Sequence, residues 1–273
     1  MNNIWIMTLY TIREAMAKKV FIFFLSITLL ALLILLAIFS IFDVTRLLKV
    51  VTTKENLDVL KEAVLSFELL IINPLANLCI LLAIFSSASF IPSMLEKGNI
   101  DLLLSKPISR TELILGKYFG GVLVVFLNIF MLTFGVWLII SFKFGYWNPS
   151  FLLTSVLITF IFAILYAIIV LFGVITKAAT GGMIFSYFIF LILSPLLYIA
   201  KSKLMPAVES EVMKQIINCS YYFFPKTSEL GSVTLLSMAN GNGISDFQPV
   251  ITSLVFLILI LLLSIVLFRK KDF

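Results

Sequence analysis

The chain has 273 residues, of which 62% are hydrophobic and 12% charged, with a mean hydropathy of +1.17. A water-soluble domain carries roughly 25% charged residues, so the bulk solvent of this chain is lipid. The net charge of +6 is a topology signal, not a nucleic-acid footprint, because basic residues collect on the cytoplasmic flanks of membrane spans.

Residues Asn2 to Lys19 come first. Trp5, Leu9, Ile12 and Met16 recur at helical spacing, with Thr8, Thr11 and Lys18 elsewhere on the wheel. The pattern predicts an amphipathic interfacial helix over 1–19 with Trp5 as its headgroup anchor. Arg13, Lys18 and Lys19 then precede the first span. That span, Val20 to Phe42, is an uncharged run long enough to cross a hydrocarbon core of about 30 Å. Too long for a signal peptide, without a small-residue cleavage site and preceded by a polar helix, it is read as an anchor.

The loop Asp43 to Glu68 balances four basic against five acidic residues. Leu57, Leu60, Val64 and Phe67 fall on one helical face, so this loop is expected to end in a helix. Leu69 to Ser93 is the second span; Asn73 and Asn77 share a face of it, and Pro74 and Pro92 are expected to kink it. The third span runs from Phe119 to Ser141 with Asn128 inside, and a tight outer turn follows with Lys143, Tyr146 and Trp147. Phe151 to Thr176 is the fourth span, Lys177 marks the return, and Ala178 to Ala200 is the fifth. Thr180, Gly181 and Gly182 at its start allow close helix contact. The outer segment, 201–248, contains an expected helix at Ala207 to Asn218, the cluster Tyr221 to Pro225, and a Gly-Asn-Gly turn at Gly241; Tyr and Phe beside a proline suggest hairpin-like helices dipping into the outer leaflet, with a plain soluble loop as the alternative. Phe247 to Phe268 is the sixth span, closed by Arg269, Lys270 and Lys271.

The expected fold is therefore all-α: one polytopic domain, 1–273, of six transmembrane helices with both termini on one side. That side carries eleven basic and five acidic residues, the other nine of each. The bias puts both termini inside. Cys79 falls in a span and Cys219 in an outer loop, so no structural disulfide is expected.

Catalytic chemistry has little to work with. Histidine, the commonest general base and metal ligand, is absent. No ionisable residue can be placed near the bilayer centre, which argues against proton-coupled transport and against a membrane hydrolase. The nine methionines are scattered and form no metal-binding cluster. Asn73, Asn77 and Asn128 are candidates for lining a pathway, with helix–helix hydrogen bonding as the alternative role. Nor is there a phosphate-binding loop: Leu115-Gly116-Lys117-Tyr118 lacks the upstream glycine and the hydroxyl.

One polar island lies between the second and third spans. Residues 94–118 hold seven charged residues, turn punctuation at Gly98 and Pro107, and capping-box spacing between Ser109 and Glu112. A short amphipathic helix, Asn99 to Leu104, a Lys-Pro turn and a new helix are expected there, an arrangement suited to docking a soluble partner; on pattern alone an ordinary cytoplasmic loop whose lysines only set topology is the alternative. The string EKGNIDLLLSKPISRTELILGK, Glu96 to Lys117, resembles the loop after the second span in type-2 ABC exporter permeases. Glu96, Gly98, Leu103, Leu104, Pro107, Arg110, Gly116 and Lys117 match that pattern, and Asn99 stands where threonine is usual. The leader Thr11-Ile12-Arg13-Glu14-Ala15 and the Arg-Lys-Lys-Asp-Phe ending extend the resemblance over the chain, which is most similar to the multicopper-enzyme-maturation subgroup.

The resemblance implies a half-transporter of the prokaryotic cytoplasmic (plasma) membrane. A second permease subunit, identical or different, would complete the pathway, and a separate ABC ATPase subunit would carry ATP and magnesium. This chain would bind no cofactor and catalyse no reaction. The 94–118 loop would be the coupling element: Glu96, Asp101 and Arg110 at its charged positions, Gly98 and Pro107 reversing the chain, and Leu102, Leu103 and Leu104 entering the ATPase. The outer helices would cap the exit. The alternative is a membrane scaffold or assembly factor that docks a partner without moving a solute; a lipid-modifying enzyme ranks below both.

Overall fold

The computed structural model describes residues 2–17, 19–41, 57–96, 98–100, 105, 108–205, 208 and 210–271. Helix α1 (Asn2–Ala17) is followed by α2 (Val20–Ile41) across a left-handed residue, Lys19, at φ 57°. Then come α3 (Leu57–Ser87), a short α4 (Phe90–Met94), α5 (Arg110–Phe144) and α6 (Thr154–Thr176), the last entered through a 3-10 turn, Pro149–Leu153. Helix α7 (Ala179–Leu204) contains wide π turns at Ile189–Leu193 and Ala200–Leu204. The outer segment folds as α8 (Glu211–Phe223) and α9 (227–239), and α10 (Gln248–Arg269) closes the chain. No strand occurs among the described residues. Among the described residues six helices are long and apolar enough to cross a membrane, as the sequence predicts.

Several boundaries move from their expected positions, each for a local reason. The third span begins nine residues early because Ser109 caps α5. Its hydroxyl accepts from the Glu112 amide while the Glu112 carboxylate accepts from the Ser109 amide, satisfying two otherwise orphaned donors. At about 1.5 Å per residue the 35 residues of α5 run about 52 Å, well beyond a hydrocarbon core. Gly145, left-handed at φ 70°, ends it. The second span starts earlier too: α3 includes Glu68, which the sequence reading leaves in the loop. Pro74 lies within α3, whereas the chain turns at Ala88–Ser89 before Pro92. In α7 the first π turn precedes Pro195, a residue that cannot donate to the carbonyl one turn back. The outer helix starts at Glu211 instead of Ala207, which lies outside the described residues.

Helix α6 is the axis of the bundle. Apolar on all sides, it packs against α3, α5, α7 and α10, and most of its length is buried. Gly182 of α7 lets the two backbones meet, since a Cβ there would lie 2.9 Å from Ile169 Cα. Helices α1 and α2 run parallel to α5 in succession. Met7 abuts Gly116 and Thr11 abuts Gly120, then Leu32 abuts Gly135 and the Lys143 ammonium donates to the Phe39 carbonyl at 2.8 Å.

Candidate functional site

The polar island begins where α4 ends. Asn99 and Ile100 donate backbone N–H groups to the Glu96 carbonyl at 3.1 and 3.2 Å, and the Asn99 amide side chain donates to the Ser93 carbonyl at 3.0 Å. Asn99 thus ties the turn to the helix before it. Gly98 has φ 91°, the left-handed region that other residues avoid, and a Cβ there would meet nothing within 4 Å. Its requirement is conformational, not steric. Glu96 is exposed. Asp101, Leu102, Leu103, Leu104 and Pro107 lie outside the described residues, as does most of the expected Asn99–Leu104 helix.

Arg110 turns inward, toward the chain's last residues. Its guanidinium donates to the carbonyls of Phe268 at 3.3 Å, Arg269 at 3.2 Å and Lys271. A cation here satisfies the orphaned carbonyls at the end of α10 and complements its dipole. Lys271 does the same for α6, donating to the carbonyls of Ile175 at 3.1 Å and Val174. Burial, then the Lys177 charge, pulls the Lys271 ammonium below its ordinary value. The end of the island, α6 and α10 are thereby laced at one end of the bundle.

Just beyond lies the seam between α1 and α5. A Cβ on Gly116 would stand 2.3 Å from Met7 Cβ, and one on Gly120 would stand 2.5 Å from Thr11 Cβ. Thr8 and Thr11 bond carbonyls one turn back in their own helix, freeing their methyls to pack. So the face with Thr8 and Thr11, set apart from the apolar stripe on the wheel, is the one buried in the protein, and Trp5, Leu9 and Met16 face outward. Glu14 and Lys117 form an ion pair in this seam, with Lys117 1% exposed and Glu14 17%. The Lys117 ammonium also lies 5.3 Å from the Tyr10 ring centroid. Next in sequence, Tyr118 stacks on Tyr166 at 5.6 Å and donates to the Ala163 carbonyl at 2.9 Å, fixing α5 to α6.

Asn73 and Asn77 open onto a cavity of about 410 Å³ between α3, α6, α7 and α9. Asn128 is elsewhere, buried in α5 with its amide donating to its own helix at Val124, 3.0 Å away. At the opposite end of the bundle from Arg110, Asn148 in the α5–α6 turn donates to the Glu68 carboxylate at 3.2 Å and to the Ala239 carbonyl at 2.9 Å. Glu68 is 0% exposed and its second oxygen has no partner among the described residues. Lys226, before α9, places its ammonium 3.8 Å from the Tyr221 ring centroid and 4.8 Å from that of Tyr222, while Tyr221 donates to Glu229 at 2.6 Å. Burial pushes Lys226 down to about 8, against the opposing charges of Glu229 and Asp246.

Sequence reasoning singles out neither Glu14–Lys117 nor Glu68–Asn148 as pairs, because the partners are about 100 and 80 residues apart. The Gly-x-x-x-Gly spacing of Gly116 and Gly120 was the available signal for the first. Nothing local marks the second.

No curated protein matches the chain. A family model described as "ABC-2 family transporter protein" matches residues 11–273. With six apolar helices and nearly its whole length matched, the chain belongs to the ABC-2 family of transporter membrane proteins.

Proposed function

We propose that this chain is the membrane-spanning permease subunit of an ABC exporter, driven by a separate cytoplasmic ATPase that docks on the 94–118 loop. The observation that carries the reading is the anchoring of that loop. It follows a turn that needs glycine at Gly98, its far end is the capped first turn of α5, and Arg110 laces it to α10. Both described ends of the loop are thus tied to the spans. The termini and this loop are cytoplasmic in this reading. The exposed Trp5, Leu9 and Met16 of α1 suit the lipid–water boundary, and α8 and α9 cap the exit on the far side. A second permease copy or a related chain completes the pathway. ATP-driven closure of the ATPase dimer shifts the spans between two arrangements through its different affinity for each. The narrower likeness to the multicopper-enzyme-maturation permeases rests on the resemblance of the whole chain, from the leader to the Arg-Lys-Lys-Asp-Phe ending.

Gentle extraction of the tagged chain from its native membrane, with mass spectrometry of co-purifying proteins, tests this. A stoichiometric ATPase is expected, lost with Gly98→Val, which a β-branched side chain at φ 91° cannot satisfy. Repeated recovery without an ATPase, while other membrane complexes survive, overturns the proposal.

A further inference from the structure

The cavity at Asn73 and Asn77 has features that packing alone does not require. Its wall includes Ile161, in the middle part of α6, and α9 reaches that depth: a Cβ on Gly231 would stand 3.7 Å from Ile161 Cδ1. Polar groups so far down an apolar bundle are costly unless they are used. Five polar residues line this one, Asn73, Asn77, Thr227, Ser228 and Ser232, and the Ser232 hydroxyl donates to the Ser228 carbonyl at 2.8 Å. Among the described residues neither amide makes a hydrogen bond. The Thr227 hydroxyl is likewise unpartnered although the residue is only 1% exposed.

The backbone points the same way. Two π turns border the space, Ile189–Leu193 of α7 through Phe190 and Leu191, and Leu230–Thr234 of α9 through Gly231 and Ser232. Such turns interrupt the regular ladder and concentrate at functional sites. Charge is missing from the wall. Lys226, next to Thr227, sends its ammonium over Tyr221 and Tyr222 and lines a different, smaller space.

The geometry points to a binding site, inside one permease subunit, for a neutral amphiphile that enters from the membrane: an uncharged head bearing hydroxyl or amide groups, with a hydrocarbon body. Head groups meet the two amides and the hydroxyls of Ser228 and Ser232; the body lies along Ile161, Phe190 and Leu191. A charged head finds no counter-charge here and keeps its desolvation cost. The volume is in the range of small-molecule sites. That the occupant is cargo rests on the permease reading; that the site binds it does not.

The test uses the full-length chain in lipid nanodiscs and three diazirine-tailed photoprobes of one chain length, with glycerol ester, carboxylate and trimethylammonium heads. Mapped cross-links from the glycerol ester are expected on peptides covering 73–77 and 227–232, competed by unlabelled monoacylglycerol. Asn77→Leu should weaken that labelling about fivefold, the worth of one lost hydrogen bond, and Asn77→Gln should keep it. Variants that no longer elute as the native species are replaced by Ser232→Ala, with the same expectation. Equal labelling by the charged probes, or glycerol-ester labelling spread over α2 and α10 and indifferent to Asn77→Leu, overturns the proposal. Because binding is read without an ATPase, its failure leaves the permease reading standing. Failure to recover an ATPase, in turn, leaves the site standing.

Discussion

The ion pair between Glu14 and Lys117 offers the sharpest test of how α1 is held. Neither partner has bulk water around it: Lys117 is 1% exposed and Glu14 17%. Removing one member of a buried pair leaves an uncompensated charge and costs about 3–5 kcal/mol, whereas replacing both by apolar residues of similar volume is often neutral. The unequal exposure adds an asymmetry. Glu14→Leu removes the carboxylate from the more buried ammonium and should lie at the upper end of that range. Lys117→Met leaves a carboxylate that can turn toward the surface, and should cost about 1–3 kcal/mol. The double variant Glu14→Leu, Lys117→Met should return to within about 1 kcal/mol of the parent, a strongly favourable coupling in a double-mutant cycle. Unfolding of the full chain by SDS in mixed micelles, followed by tryptophan fluorescence, gives the four free energies. If the single losses simply add in the double variant, the pair is not coupled and the account of the seam is wrong.

Other consequences follow from the same geometry. Gly120→Val places its Cβ 2.5 Å from Thr11 Cβ, so α1 must move; a loss of about 1–3 kcal/mol is expected in the same unfolding assay, against little change for Gly145→Asn. Arg110→Gln frees the carbonyls of Phe268, Arg269 and Lys271, and trypsin should cut faster after Arg269 and Lys270 in the folded protein. Lys226 carries a pH signature. Its folded value, about 8, lies below the ordinary 10.5, so the unfolded chain binds more protons between the two. Stability should therefore rise as pH climbs from about 8 to 10.5 and be unaffected by this residue below 8, and Lys226→Met should lack that rise when melting temperatures are compared.

How much of this was legible in the sequence depends on the range of the interaction. The six spans were, because lengths of uncharged sequence answer directly to the thickness of the hydrocarbon core. The capping box at Ser109 was, since both partners lie within one turn. Helix ends were not where polar residues continue a helix: Glu68 and Lys117 are charged, so composition puts them outside, yet each has a distant partner that lets it stay in. The leader helix shows a related limit. Periodicity located its apolar stripe, but the protein buries the side with Thr8 and Thr11, because glycine on α5 accepts a threonine methyl closely. For the site, Asn73 and Asn77 were marked by residue type and spacing, whereas Thr227, Ser228 and Ser232 belong to a segment that reads equally as hairpin-like helices dipping into the membrane or as a plain loop, with nothing local to tie it to α3. Only the fold brings that segment down beside them.

Helix α5 joins the two ends of the bundle, and its continuity has a mechanical consequence. It is capped at the island by Ser109 and Glu112, and it ends 35 residues later beside the turn that holds Asn148. Asn148 in turn holds Glu68 of α3 and the Ala239 carbonyl at the end of α9. A load applied at the island therefore meets one continuous helix, its glycines packed against α1, α2 and Tyr166, whose far end is stapled to α9. If that staple holds α9, Asn148→Leu should release it: backbone amides of 235–241 should exchange hydrogen faster, while those of 113–124, anchored by the α1 seam, should not change. The carboxylate of Glu68 is then left without its amide, so Glu68→Leu added to Asn148→Leu should recover part of the stability but none of the α9 protection, because the bond to Ala239 stays lost. Unchanged exchange at 235–241 in the single variant would show that α9 is held by its apolar contacts, and would break the proposed link from docking loop to exit.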